Sequence, residues 1–97
     1  MKTTVLRNVL ASIEDIDDEA TIYAQQPWRP DSATAIARMD EEASEATARG
    51  LAYFLEVAIV REAVEVWGTW REGRQPTPDE RCEAAIHYAV NDAFLPP

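Results

Sequence analysis

The sequence predicts a small α+β domain in which a β-hairpin packs against helices. Three observations support this class: an apolar stripe at helical spacing near the start, two short strand-like segments around a proline-rich turn, and a clear helix-start signal near the end. The chain has 97 residues, of which 46% are hydrophobic and 28% are charged. This length and composition suit one hydrophobic core, so residues 1–97 are expected to form a single domain.

The first half of the chain predicts one helix followed by the hairpin. A helix over residues 4–13 is indicated by apolar residues at intervals of three and four, namely Val5, Leu6, Val9, Leu10 and Ile13. Residues 21–25 and 33–38 are predicted to be the two strands of the hairpin, because the prolines between them exclude a helix. Residues 40–49 lack an apolar stripe, which leaves either a mobile loop or a solvated turn of helix.

The second half predicts two helices. Residues 51–71 have a helix-forming composition without proline, and we predict a long central helix, with a strand over its first third as the alternative. A last helix is expected from Pro78 to about Asp92, because Thr77 can cap it and Glu80 stands three residues after the cap. One narrow face of this helix carries small side chains, which allow close packing against the central helix. This face consists of Cys82, Ala85, Ile86, Ala89 and Ala93.

Most of the negative charge falls on one third of the chain. The net charge is −9, and residues 14–48 hold ten acids against two arginines, which gives −8. Such a field repels nucleic acid and anionic membranes and attracts a basic protein. We therefore expect a basic protein partner, no direct nucleic-acid binding and no membrane binding. The longest apolar segment is about half of a membrane span, and no signal-peptide core opens the chain, so a cytoplasmic location is expected.

The acidic run of residues 14–19 has five carboxylates in six positions. Its alternating acids resemble those of a calcium loop, but Ala20 stands where that loop needs glycine and Gln26 where it needs glutamate. No metal site is therefore predicted, and the run is interpreted as a loop that is either solvated or faces a partner. The predicted partner-binding residues are Asp15, Asp17, Asp18, Glu19, Trp28, Arg29, Asp40, Glu41 and Glu42.

Trp28 and Arg29 lie between two prolines at the tip of the predicted hairpin. An exposed Trp-Arg pair on a stiff turn has the residue chemistry of an interface hot spot. The alternative is that Trp28 folds back onto the core, which is the more common place for a large aromatic side chain.

Glu56 is a candidate buried functional carboxylate, because apolar residues surround it in the sequence. A buried acid needs a cationic partner or a raised pKa, and perturbed carboxylates are frequent at functional sites. The alternative is a structural ion pair with an arginine.

No catalytic residues and no cofactor are predicted. Glu80, Glu83 and His87 share one face of the last helix, as a metal or acid–base site would require, but that face points to solvent. Cys82 is the single cysteine, so the sequence offers no intrachain disulfide. It also lies too far around the helix from His87 to form a nucleophile–base pair.

Three stretches, residues 21–28, 50–62 and 88–94, resemble a group of small acidic bacterial proteins of unknown function. The resemblance covers most of the chain and implies one compact domain, with Glu56 and the Pro-Trp turn as distinctive positions. It implies no activity and no site.

Three functions are compatible with these observations. The first is an interaction module, such as an inhibitor or immunity-type protein, that binds a basic partner. The second is a phosphate mimic that inhibits a DNA- or RNA-binding machine. The third is a small-ligand domain or enzyme with a pocket around Glu56, Tyr53 and Trp67. A homodimer through Trp67 and Trp70 is compatible with all three.

Overall fold

A computed structural model describes residues 1–97, and it confirms the predicted α+β class. Its four strands form one antiparallel sheet in the order β1-β3-β2-β4. The elements are, in chain order, β1 (Thr4–Val5), α1 (Leu6–Ala11), a 3₁₀ turn (Ile13–Asp15), β2 (Thr21–Ala24), β3 (Ala33–Ala37), α2 (Asp40–Ala48), β4 (Ala52–Glu56), α3 (Val57–Thr69) and α4 (Pro78–Asn91).

The sheet separates a large core from a small one. On one face, side chains of β2 and β4 such as Ile22 and Leu55 pack with α1, α3 and α4. On the other face, Ala35 packs with Ala46 of α2 and with Leu51. Successive residues of a strand point to opposite faces, so β2 serves both layers. The helix α2 therefore lies on the side of the sheet opposite to the other three helices.

The predicted helix over residues 51–71 is wrong in its first third, where the alternative strand forms as β4. Ile22 pairs with Leu55 while the next residue, Tyr23, pairs with Tyr53, so Phe54 is an extra residue in β4. This β-bulge lets the consecutive residues Phe54 and Leu55 both be buried. The bulge removes the alternation that marks a strand in a sequence.

The other predicted elements form with adjusted ends. The hairpin and the last helix are confirmed, and residues 40–49 form the helix α2. The first helix is shorter than predicted, because Thr4–Val5 pair with β3 as a strand before α1 begins at Leu6. At α4, the hydroxyl of Thr77 accepts a hydrogen bond from the backbone N–H of Glu80, and the carboxylate of Glu80 accepts one from the backbone N–H of Thr77.

Trp67 and Trp70, at the end of α3, differ in burial. Trp67 is buried, with the guanidinium groups of Arg71 and Arg74 at 4.4 and 4.5 Å from its ring centre. Trp70 is exposed and meets Phe94 edge to face. Trp67 is thus a core residue, and Trp70 is the one available for a dimer contact. No helix combines the length and apolar character that crossing a membrane requires.

Candidate interaction surface

Part of the acidic run is engaged by arginines of the helical layer. The carboxylate of Glu14 forms an ion pair with Arg81 at 2.8 Å, and Asp18 forms one with Arg61. The hydrogen bond from Arg81 lowers the pKa of Glu14. These two acids therefore hold the run against α3 and α4, and less of their charge is free for a partner.

Arg61 of α3 is the main anchor of this connection. Its guanidinium donates hydrogen bonds to the backbone carbonyls of Ile13 at 3.1 Å, Glu14 at 3.0 Å and Ile16, besides its contact with Asp18. Because the planar guanidinium carries five N–H donors, one side chain can serve all these acceptors. The acidic run is consequently a fixed connector and not a loose tail.

The remaining acids of the run, Asp15, Asp17 and Glu19, form no ion pair with an arginine. The Asp17 carboxylate accepts a hydrogen bond from the backbone N–H of Glu19 at 2.9 Å and so stabilises the turn before β2. Asp15 and Glu19 have exposed side chains. Glu19 lies at the end of the run, two residues before β2 begins at Thr21.

The acids of α2 also divide into engaged and free groups. The Glu42 carboxylate accepts a hydrogen bond from the backbone N–H of Arg38 at 2.7 Å. Glu45 forms an ion pair with the N-terminal ammonium at 2.8 Å, and this contact lowers the pKa of Glu45. Asp40 and Glu41 are exposed in the first turn of α2. The free carboxylates of α2 are therefore at its beginning.

The two acidic segments meet at one cleft of about 230 Å³. Glu19 lines it from the first segment and Asp40 from the second, and Tyr23 of β2 belongs to the same lining. Arg38 lines the same cleft and offsets part of the negative charge. The cleft exists because the hairpin register brings Thr21, close to Glu19, opposite Ala37, close to Asp40.

Two residues of β4 extend this cleft into a wider surface. Tyr53 pairs with Tyr23 and Glu56 pairs with Thr21, and cross-strand partners point to the same face of a sheet. The two tyrosine rings meet edge to face at 6.1 Å, and Tyr53 remains 51% exposed. Burial of part of the Tyr53 side chain, together with the charge of Glu56, raises the pKa of Tyr53. We call this set the acidic tyrosine surface; it consists of Glu19, Tyr23, Met39, Asp40, Tyr53 and Glu56.

The expectation that Glu56 is buried is wrong. Its side chain is exposed, although Leu55 and Val57 on either side of it are buried. Glu56 ends β4 on the α2 face and provides the N-cap position of α3. On a helix Glu56 would share a side with apolar residues, whereas on the strand it points away from the main core. No arginine pairs with it, so the structural ion pair does not form either.

The exposed Trp-Arg pair predicted at the hairpin tip does not form. Trp28 packs on Phe54 of the main core with ring centres 5.1 Å apart, and its indole N–H donates to the Ala24 carbonyl at 3.1 Å. The alternative interpretation, in which Trp28 folds back, is therefore correct. Arg29 is exposed, but the hairpin tip lies at the other end of β2 from Glu19, outside the acidic tyrosine surface.

The polar residues of α4 have structural contacts. Glu80 belongs to the capping box and pairs with Arg74 at 3.0 Å, and the hydrogen bond from the backbone of Thr77 is the main reason that its pKa is lowered. His87 lies beside the Asn91 amide at 3.3 Å. No group of three or more His, Cys, Asp or Glu side chains is placed to hold a metal ion.

Tyr23, Tyr53 and Met39 are the surface residues that are absent from the predicted partner-binding residues, although Tyr53 is expected at a ligand pocket around Glu56. Met39 is 62% exposed and lines the cleft beside Asp40. The alternation in Thr21-Ile22-Tyr23-Ala24 already places Tyr23 on the face opposite to Ile22. No comparable signal exists for Tyr53, because the bulge after it disguises its strand.

Comparison with known proteins gives a family without an assigned activity. No curated protein and no solved structure matches this chain. A family model described as a domain of unknown function, DUF7716, matches residues 3–96, which is nearly the whole chain. The chain therefore belongs to the DUF7716 family.

Proposed function

We propose that this protein is a small interaction module that binds a basic partner protein through the acidic tyrosine surface, as an inhibitor or immunity-type protein would. The observation that carries the proposal is the cleft that Glu19 and Asp40, from separate acidic segments, line together with Tyr23. The partner would present arginine or lysine side chains to these carboxylates. We further propose that it acts in the bacterial cytoplasm.

The surface combines the two components of a specific interface. Tyrosine and methionine are enriched at the centres of protein interfaces, and Tyr53 and Met39 are exposed here. Carboxylates around such a centre speed the encounter with a basic protein and fix its orientation. Tyr23 adds an aromatic wall on which a partner's guanidinium can stack.

The other two functions that the sequence suggested are less well supported. A phosphate mimic needs rows of free carboxylates, but intramolecular contacts occupy five of the ten acids in residues 14–48, namely Glu14, Asp17, Asp18, Glu42 and Glu45. Glu56 and Trp67 are too far apart to line one ligand pocket. These residues lie near opposite ends of α3, roughly 16 Å apart along its axis, and Trp67 is buried.

Affinity capture with two charge-matched variants tests the proposal. The first variant, Glu19→Gln/Asp40→Asn/Glu56→Gln, removes three carboxylates of the acidic tyrosine surface. The control variant, Glu62→Gln/Glu65→Gln/Glu72→Gln, removes three exposed carboxylates in and just after α3, on the other side of the sheet. Both variants change the net charge of −9 by three units.

Each tagged protein is incubated with lysate of the native host at low salt, and the proteins released by increasing salt are identified. The wild type and the control variant should retain the same basic protein, while the surface variant should lose it. If both variants lose it equally, net charge alone drives the binding. If the surface variant retains it, the partner binds elsewhere.

A further inference from the structure

A second groove lies on the helical side of the sheet, away from the acidic tyrosine surface. It has a volume of about 570 Å³ and follows the outer side of α4. Pro30 of the hairpin loop and Leu95 of the C-terminal segment contribute to its lining. None of the six residues of the acidic tyrosine surface lines it.

The groove is lined by acidic side chains near the start of α4 and by apolar ones further along the helix. Asp79 and Glu83 line the part near the start of the helix, and Ile86 and Val90 line the following two turns. These four residues are spaced by three or four positions, so they share one side of the helix. The polar side chains of His87 and Asn91 line the groove beside Ile86 and Val90. Val90 is 67% exposed, which is unusual for a valine on a helix that buries Cys82 and Ala85 on its inner side.

The charge of the groove selects the kind of occupant. Asp79 pairs with Arg7 at 2.5 Å, whereas Glu83 is exposed and outside any ion pair, which leaves one carboxylate at the acidic end. A second copy of this chain is disfavoured as the occupant, because two molecules of net charge −9 repel each other. The complementary occupant has a cation for Glu83 and apolar side chains for Val90 and Leu95.

We propose that this groove binds an amphipathic helix of a partner protein, with a basic residue against Glu83 and apolar residues against Ile86 and Val90. The helical rise places Glu83 about 4.5 Å from Ile86 and about 10.5 Å from Val90 along the axis. A partner helix aligned with α4 matches these positions with a basic residue at i and apolar residues near i+3 and i+7. This site goes beyond the proposed function, since it is a separate surface.

Fluorescence anisotropy with a defined probe tests this inference on the full-length protein. The probe is a fluorescein-labelled helical peptide rich in Ala and Gln, with Arg at position i and Leu at i+3, i+4 and i+7. Two control peptides replace the Arg with Glu or the Leu residues with Ser. The wild-type protein should bind the probe at least about tenfold more tightly than either control.

Protein variants then locate the binding site. Val90→Ser should weaken probe binding by about tenfold and Glu83→Gln by about fivefold, because each removes one of the two complementary contacts. Glu62→Gln and Met39→Ser should leave it unchanged, since neither residue lines the groove. All four positions are exposed, so the variants should fold.

Equal binding of the probe and the control peptides would overturn the inference. So would unchanged binding to both Val90→Ser and Glu83→Gln. The outcome is independent of the proposed function, because an effect of Met39→Ser alone would assign the peptide to the acidic tyrosine surface and would reject the groove.

Discussion

Replacing Arg61 by alanine should destabilise the protein and release its acidic run. Arg61 donates to the backbone carbonyls of Ile13, Glu14 and Ile16, and its side chain is 31% exposed. No other donor from α3 reaches these three carbonyls. The Arg61→Ala variant therefore removes all of these hydrogen bonds between α3 and the segment that carries the acids.

The structure sets the size of this effect. The contacts with the Ile13 and Ile16 carbonyls are partly buried, while those with Glu14 and Asp18 are exposed. The Ile16 carbonyl would be left without a donor, which costs about 1 kcal/mol or more. The Ile13 carbonyl keeps a hydrogen bond from the backbone N–H of Ile16 and loses only its second donor, which costs about 0.5–1.5 kcal/mol. An exposed ion pair contributes less than about 1 kcal/mol. The free energy of unfolding should thus fall by about 2–3 kcal/mol. For a chain of this length the midpoint temperature should fall by roughly 10–20 °C.

Urea unfolding followed by circular dichroism measures this change, with two variants as references. Arg29→Ala removes an exposed arginine that forms no ion pair, and it should cost less than about 0.5 kcal/mol. Asp18→Asn removes only the exposed ion pair and should cost less than about 1 kcal/mol. An Arg61→Ala cost no greater than that of Asp18→Asn would refute the role assigned to the backbone carbonyls.

Three further predictions concern local features of the fold. Thr77→Ala should reduce the free energy of unfolding by about 1 kcal/mol in urea titrations, because it removes the acceptor for the backbone N–H of Glu80; an unchanged midpoint would contradict the capping box. Stability should decline as the pH falls below about 4.5, because Arg81 lowers the pKa of Glu14 in the folded state and this contribution is lost on protonation. Acid titrations of Glu14→Gln should therefore show a shallower decline than wild type, and an identical slope would count against this pair. Burial raises the pKa of Cys82 to about 11, so its thiol should react with a disulfide reagent at pH 8 only when the protein unfolds; rapid reaction of the folded protein would show that Cys82 is accessible.

Local signals in the sequence were sufficient for the hairpin and for α4. The start of α4 has a cap whose two hydrogen bonds involve only residues 77–80, so no distant contact is needed to specify it. The hairpin follows from two prolines and from strands that are neighbours in the chain. In both cases the information lies within a few residues of the structure that it determines.

The strand β4 could not be identified with the same ease because its conformation depends on β2. The bulge at Phe54 is a property of the pairing with Ile22 and Tyr23, more than 30 positions earlier in the chain. A continuous apolar run is compatible with both a strand and a buried helix, and its composition favours the helix. The incorrect expectation that Glu56 is buried followed directly from predicting a helix where β4 forms.

The candidate surface was predictable in charge but not in shape. The excess of acids in residues 14–48 and the inclusion of Glu19 and Asp40 among the partner-binding residues follow from the sequence. Their presence in one cleft depends on the hairpin register, and the division between free and engaged acids depends on arginines such as Arg61 and Arg81 in other elements. These contacts join residues that are distant in the sequence.

The rate of association between this protein and its captured basic partner tests the central claim most directly. It should be measured at several salt concentrations for the wild type, for Glu19→Gln/Asp40→Asn/Glu56→Gln and for the charge-matched control Glu62→Gln/Glu65→Gln/Glu72→Gln. The first variant should associate at least about tenfold more slowly at low salt, and its rate should depend less on salt, while the rate of the control should stay within about twofold of wild type. Equal rates for the two variants would contradict a specific role of the acidic tyrosine surface.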